Sequence, residues 1–218
     1  MKRLLILSFG IVFLFSTCAF SGFFNSVKGS GTPATEERKL PEFNSVEVSG
    51  SWDVEIQCGK EQKVVITVDD NLMPLVITEV KDGTLKIYTD KNIRPKVDNE
   101  IKIFVKELKS LSTAGSVDVK ASDISTENFK YEGAGSSDIE LSGKVVNFNI
   151  EVAGSADIEA KDLHAENVNI EIAGSADAEV YASKKLNVEA AGSADVTYYG
   201  DPESVSQDVA GSASVVKG

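Results

Sequence analysis

The chain has 218 residues, room for one substantial domain or two small ones. Asp and Glu outnumber Lys and Arg by 34 to 22, a formal charge of −12, which argues against nucleic acid and anionic membrane surfaces as partners. Two Cys and one His exclude a disulfide-rich scaffold and any multi-His or multi-Cys zinc site.

Residues 1–21 read as a secretory signal. Lys2 and Arg3 form a positive start, and an apolar run follows from Leu4 to Phe15, broken only by Ser8 and Gly10. The run is shorter than the about 20 residues that span a bilayer. Ala19-Phe20-Ser21 before Gly22 fits a small-residue cleavage site. Cys18 offers a second reading, as the lipid-attachment site of an exported lipoprotein, although Phe15-Ser16-Thr17 before it fit that pattern poorly. No other apolar run approaches spanning length, so the mature chain is expected to be soluble or singly anchored.

Residues 22–37, rich in small residues, read as a flexible linker. From Arg38 the chain alternates with a strand-like period. Residues 38–108 carry alternating runs at 45–57, 64–68, 84–89 and 101–105, with turn signals at Asp69-Asp70-Asn71 and Asp82-Gly83. They read as irregular first rungs or an N-terminal β cap. Val54, Ile56 and Cys58 share one parity, so Cys58 is expected to pack as a small buried hydrophobe.

Residues 109–218 are repetitive. Ala114-Gly115-Ser116-Val117-Asp118-Val119 recurs from Ala134, Ala153, Ala173, Ala191 and Ala210, the last with Ser214 in place of Asp. An early copy runs from Ser49 to Val54. The later glycines, at 115, 135, 154, 174, 192 and 211, are spaced by 20, 19, 20, 18 and 19 residues. Before each glycine apolar and polar residues alternate, as in Asn147-Phe148-Asn149-Ile150-Glu151-Val152. After it, Val119, Ile139, Ile158, Ala178, Val196 and Val215 hold the matching inward position. No segment reads as a helix of ten residues or more.

Each repeat is therefore strand, Gly-Ser corner, strand and short return. One repeat cannot bury its apolar side alone, but stacked repeats can. The expected fold is all-β: a right-handed parallel β-helix, a β-solenoid with about 19–20 residues per rung. Ser hydroxyls, and Asn128, Asn147 and Asn167, are expected to form hydrogen-bonded ladders between rungs. The last repeat, with Gln207 and Ser214 replacing apolar and acidic residues, reads as a polar terminal rung with an open edge, which motivates self-association as an alternative role.

The opening Arg38-Lys39-Leu40-Pro41-Glu42-Phe43-Asn44-Ser45, the segment Trp52-Asp53-Val54, Asp69-Asp70-Asn71-Leu72, Val80-Lys81-Asp82-Gly83-Thr84-Leu85 and the Gly-Ser-x-Asp repeats resemble the head GIN domain family of autotransporter adhesins. The resemblance covers nearly all of residues 38–218. It implies a right-handed β-helix and an adhesin role at the cell envelope of a Bacteroidetes-type bacterium, and it supplies no catalytic residues. The translocator barrel that the word autotransporter implies finds no room in this sequence.

The sharpest chemical feature is the acidic column Asp118, Asp138, Asp157, Asp177 and Asp195. Charges on rungs about 4.8 Å apart repel by roughly 0.9 kcal/mol even in water. Exposure with hydrogen bonds from corner N–H groups or Ser hydroxyls is one answer. Ca²⁺ between rungs is another, but the repeat lacks the second and third glycines of nonapeptide calcium rolls. Cleft-building loops, common in β-helix lyases, have no counterpart in the short returns. His164 stands alone in a return, and Cys58 has no nearby base. The expectation is a non-enzymatic exported module with no catalytic, cofactor or metal residues. It would meet a surface glycan or protein, or copies of itself.

Overall fold

The computed structural model describes residues 26–218. The proposed signal and Cys18 lie outside the described residues. Eleven strands follow one another: β1 (Val27–Lys28), β2 (Pro33–Arg38), β3 (Ser45–Cys58), β4 (Lys63–Asp69), β5 (Val76–Lys81), β6 (Thr84–Thr89), β7 (Ile93–Arg94), β8 (Glu100–Val105), β9 (Ser110–Tyr199), β10 (Ser204–Gly211) and β11 (Ser214–Lys217). One 3₁₀ turn, Met73–Leu75, interrupts them, so the described chain is all-β. No helix among the described residues is long and apolar enough to cross a membrane.

The repeats align as the spacing of their glycines predicts. β3 pairs in parallel with the start of β9, placing Gly50 beside Gly115 and Asp53 beside Asp118. β10 pairs in parallel with the end of β9, Gly211 beside Gly192, and β11 continues with Ser214 beside Asp195. Within β9, extended backbone bends at each glycine without breaking, and residues one repeat apart meet. Asn147 Nδ2 donates to Asn128 Oδ1 at 2.8 Å, and Asn167 Nδ2 donates to Asn147 Oδ1 at 2.9 Å. The expected Asn ladder is present.

The glycine column has two causes. Gly115, Gly135, Gly154, Gly174 and Gly192 all have φ between +107° and +141°, a region that L side chains resist. A Cβ at each would also collide with the carbonyl oxygen of the glycine stacked before it, Gly50 in the case of Gly115. The corner thus requires the absence of a side chain as well as the backbone freedom.

The core runs along the stack in columns. Val119, Ile139, Ile158, Ala178 and Val196 are buried, as the alternation predicts. So is the position between Ser and Asp of each corner: Trp52, Val117, Ser137, Ala156, Ala176 and Ala194. These side chains become smaller along the column, from Trp52 to alanine. Ser137 is the polar exception. Tyr131 is fully buried, and its hydroxyl meets Ser137 Oγ at 3.0 Å and Thr113 Oγ1 at 3.1 Å. Gly133 leaves the space that the Tyr131 hydroxyl fills. Phe129 stacks on Phe148 with ring centroids 5.6 Å apart. Tyr131→Phe strands two buried hydroxyls and is expected to cost about 1–2 kcal/mol in urea unfolding. A neutral result would show that Thr113 and Ser137 satisfy one another without it.

The N-terminal part departs from this regularity. The first half of β3 pairs in parallel with β6 and its second half with β8. Direction then switches: β5 runs antiparallel to β6, β4 to β8, and β2 to β4. The irregular first region is thus a mixed-direction β layer on the end of the parallel stack.

One expectation is corrected here. The stretch read as a flexible linker, 22–37, contains β1, paired with β7, and most of β2, paired along its length with β4. Gly29 there serves close approach instead of freedom. Asp69 is fully buried beneath Gly29, where any Cβ would strike its carboxylate. That carboxylate accepts hydrogen bonds from the N–H groups of Gly31 (2.6 Å) and Lys96 (2.9 Å). Ser30 Oγ donates to Asp70 Oδ1 at 2.5 Å, and Asn71 Nδ2 donates to the Lys28 carbonyl at 2.8 Å. The Asp69-Asp70-Asn71 turn is the clamp that holds residues 28–32.

Candidate functional site

The stack brings the acidic column together as expected. Asp118, Asp138, Asp157, Asp177 and Asp195 are all exposed, and Asp53 heads the column beside Asp118. Two open grooves follow it. One, of about 470 Å³, is lined by Asp53, Glu55, Glu100, Asp118, Asp138 and Asp157, with Lys120 as its one basic group. The other, of about 450 Å³, runs along the corner serines 136, 155, 175, 193 and 212 between the aspartates. Both are shallow troughs on a sheet surface.

The carboxylates lie in file and do not converge. No group of three or more His, Cys, Asp or Glu among the described residues is arranged to hold a metal ion. Part of the repulsion is answered locally: the Asp138 N–H donates to Asp118 Oδ1 at 3.4 Å, and Ser214 Oγ donates to Asp195 Oδ1 at 2.5 Å. The expected chain of serine-to-serine bonds is replaced by these contacts and by the Asn ladder. Lysines flank the column and cross between repeats, Lys120 to Glu140 at 2.7 Å and Lys161 to Glu179 at 2.6 Å. Such exposed pairs contribute little each, but they thread single positive charges through an acidic face.

Asp53 records the remaining strain. Partial burial, then the charges of Asp118, Asp98 and Glu100, push its carboxyl above the usual value of 3.8. The charged form is therefore disfavoured in the folded state. The stability linked to this group is fully present below pH 3.8 and is lost as pH rises through the raised folded value. Asp53→Asn is expected to stabilise the protein at pH 7 by a few tenths of a kcal/mol after solvent screening. Thermal melts should show the gain fading below about pH 4 and in molar salt; a destabilised variant would mean Asp53 makes a bond that outweighs the repulsion.

The other candidates resolve simply. Cys58 is buried beside Val105, and burial, then Asp123, pushes its thiol up to about 12, so it stays protonated at neutral pH. His164, expected on a return, is exposed within β9, its ring 4.3 Å from that of Tyr181. Sequence reasoning missed the buried column after each Gly-Ser pair and the burial of Asp69. The fixed two-residue offset from each glycine was the available signal for the first.

A file of exposed carboxylates, hydroxyls and amides on parallel-paired strands defines an all-β protein with a polar, acidic sheet surface. The chain belongs to the family described as "Putative auto-transporter adhesin, head GIN domain", whose model matches residues 42–202. Three solved structures share the fold. An adhesin-labelled protein from Bacteroides fragilis is 23% identical with a TM-score of 0.69, covering 88% of this chain and all of that one. One from Parabacteroides distasonis is 19% identical with a TM-score of 0.60, covering 89% of this chain and all of that one. One from Parabacteroides merdae is 19% identical with a TM-score of 0.53, covering 88% of this chain and 99% of that one. No curated protein matches the chain.

Proposed function

We propose that the protein is an exported, non-enzymatic right-handed parallel β-helix that acts as an adhesion or envelope-interaction module. The in-register parallel pairing of repeats supports the β-helix, and the strong preference of parallel crossovers supports its hand. The observation that carries the functional reading is the acidic face with its two open troughs, presenting Asp, Ser and Glu at the spacing of the strands. Repeated polar groups on a rigid sheet match a repeating polar ligand. The negative charge favours a neutral glycan or a basic protein segment and disfavours anionic polymers. The family description agrees with adhesion.

The test is location followed by binding. Protease added to intact cells should remove the protein, and the purified protein should bind members of a glycan and envelope-protein screen. A variant with Asp138, Asp157 and Asp177 changed to Asn should fold normally and lose that binding by about tenfold or more. Full protection from external protease would sink the adhesion reading.

A further inference from the structure

The two ends of the sheet are finished differently. β2 ends one side with Pro33, Glu36, Glu37 and Arg38, residue types that blunt an edge against further pairing. β10 ends the other and, among the described residues, pairs only with β9. Val205, Gln207 and Val209 continue the buried columns of Leu186, Val188 and Ala190. Yet Val205 is 42% and Val209 40% exposed, because no further strand lies over them. The family match stops at residue 202, before this strand.

The strand reads alike in both directions. Around Gln207 stand Ser206 and Asp208, then Val205 and Val209, then Ser204 and Ala210. We propose that β10 pairs antiparallel with β10 of a second copy, about a two-fold axis at Gln207. Directly opposed residues in an antiparallel pair point to the same side. In this register Val205 opposes Val209 of the second copy on the core side, and Gln207 opposes Gln207. On the outer side Asp208 opposes the Ser206 hydroxyl.

Charge selects the register. Moving the axis one residue toward the C-terminus sets Asp208 against Asp208; moving it one residue the other way sets Val209 against Glu203. A head-to-tail pairing of β10 on β2 would meet an edge that carries Glu36 and Glu37. Of these arrangements, the two-fold pairing about Gln207 is the one that sets valine on valine and opposes no like charges. A closed two-fold pairing also ends at a dimer and does not grow into a fibre.

The test combines sedimentation over a concentration series with two variants, each with one added cysteine, of the protein as processed by the expressing cell. Opposed antiparallel residues lie about 4.5–5.5 Å apart at Cα, within disulfide reach. Gln207→Cys should therefore give a cross-linked dimer under mild oxidation at least about tenfold faster than Ser206→Cys, which faces Asp208. Cys58 is buried and does not compete. The wild-type protein should show a reversible monomer–dimer equilibrium, and Val205→Glu combined with Val209→Glu should abolish it while the variant keeps its β-strand circular dichroism. Monomer at every concentration, or a dimer in which Gln207→Cys cross-links no faster than Ser206→Cys, would overturn the proposal. Neither result depends on which ligand the acidic face binds.

Discussion

Gly174→Ala is expected to remove a large share of the protein's stability. The new methyl group meets a φ of +140° and the backbone oxygen of Gly154, neither of which can yield without shifting a whole repeat. Backbone strain of about 1–3 kcal/mol adds to a steric penalty of similar size, so a loss of about 2–6 kcal/mol is expected, against a typical total of about 5–15 kcal/mol. Gly59→Ala is the control. It also has a positive φ, +72°, but nothing lies within 4 Å of the added carbon. It should lose only about 1–2 kcal/mol. Urea unfolding followed by the fluorescence of Trp52, the single tryptophan and a buried one, separates the two. Equal losses would mean that conformational preference alone, and not the contact between stacked corners, selects glycine.

Asp69→Asn is expected to release the N-terminal strands. In the folded protein, burial would by itself raise the Asp69 carboxyl, but the N–H groups of Lys96, Gly31 and Val97 outweigh it and hold the group below 3.8. An asparagine turns one acceptor into a donor that faces donors. Hydrogen-exchange protection of the Gly31 and Lys96 amides should fall by about tenfold or more, and β1 and β2 should become sensitive to protease. The pH dependence follows from the lowered value. The stabilisation from Asp69 is present above pH 3.8 and is lost as pH falls through the lower folded value. Wild-type protein should therefore loosen at this end in strong acid, whereas the variant should already be loose at pH 7. Unchanged protection in Asp69→Asn would show that strand pairing between β2 and β4 holds the segment unaided.

These two residues differ in how legible they are. Gly174 could be read from the sequence because its repeat recurs at a nearly constant spacing, and a parallel stack converts that spacing into contact. The same regularity made the inward columns, the Asn ladder and the file of aspartates foreseeable. Asp69 sits in a polar turn signal that reads as exposed loop. Its burial depends on residues 29–31 and 96–97, far away in sequence, and no local period announces them. The linker misreading has the same origin: small residues around Gly29 and Gly31 look like freedom until a buried carboxylate is found beneath them.

The sequence by itself determined the all-β class, the repeat, the corner chemistry and the family, because each follows from side-chain period and residue type at neighbouring positions. Only the tertiary structure decided how the stack ends. At one end it turns the strands antiparallel and clamps them on Asp69. At the other it leaves β10 with valines in core columns and, among the described residues, no strand over them. Ends are set by what lies across from a strand, and that is a property of the folded neighbours, not of the strand's own residues.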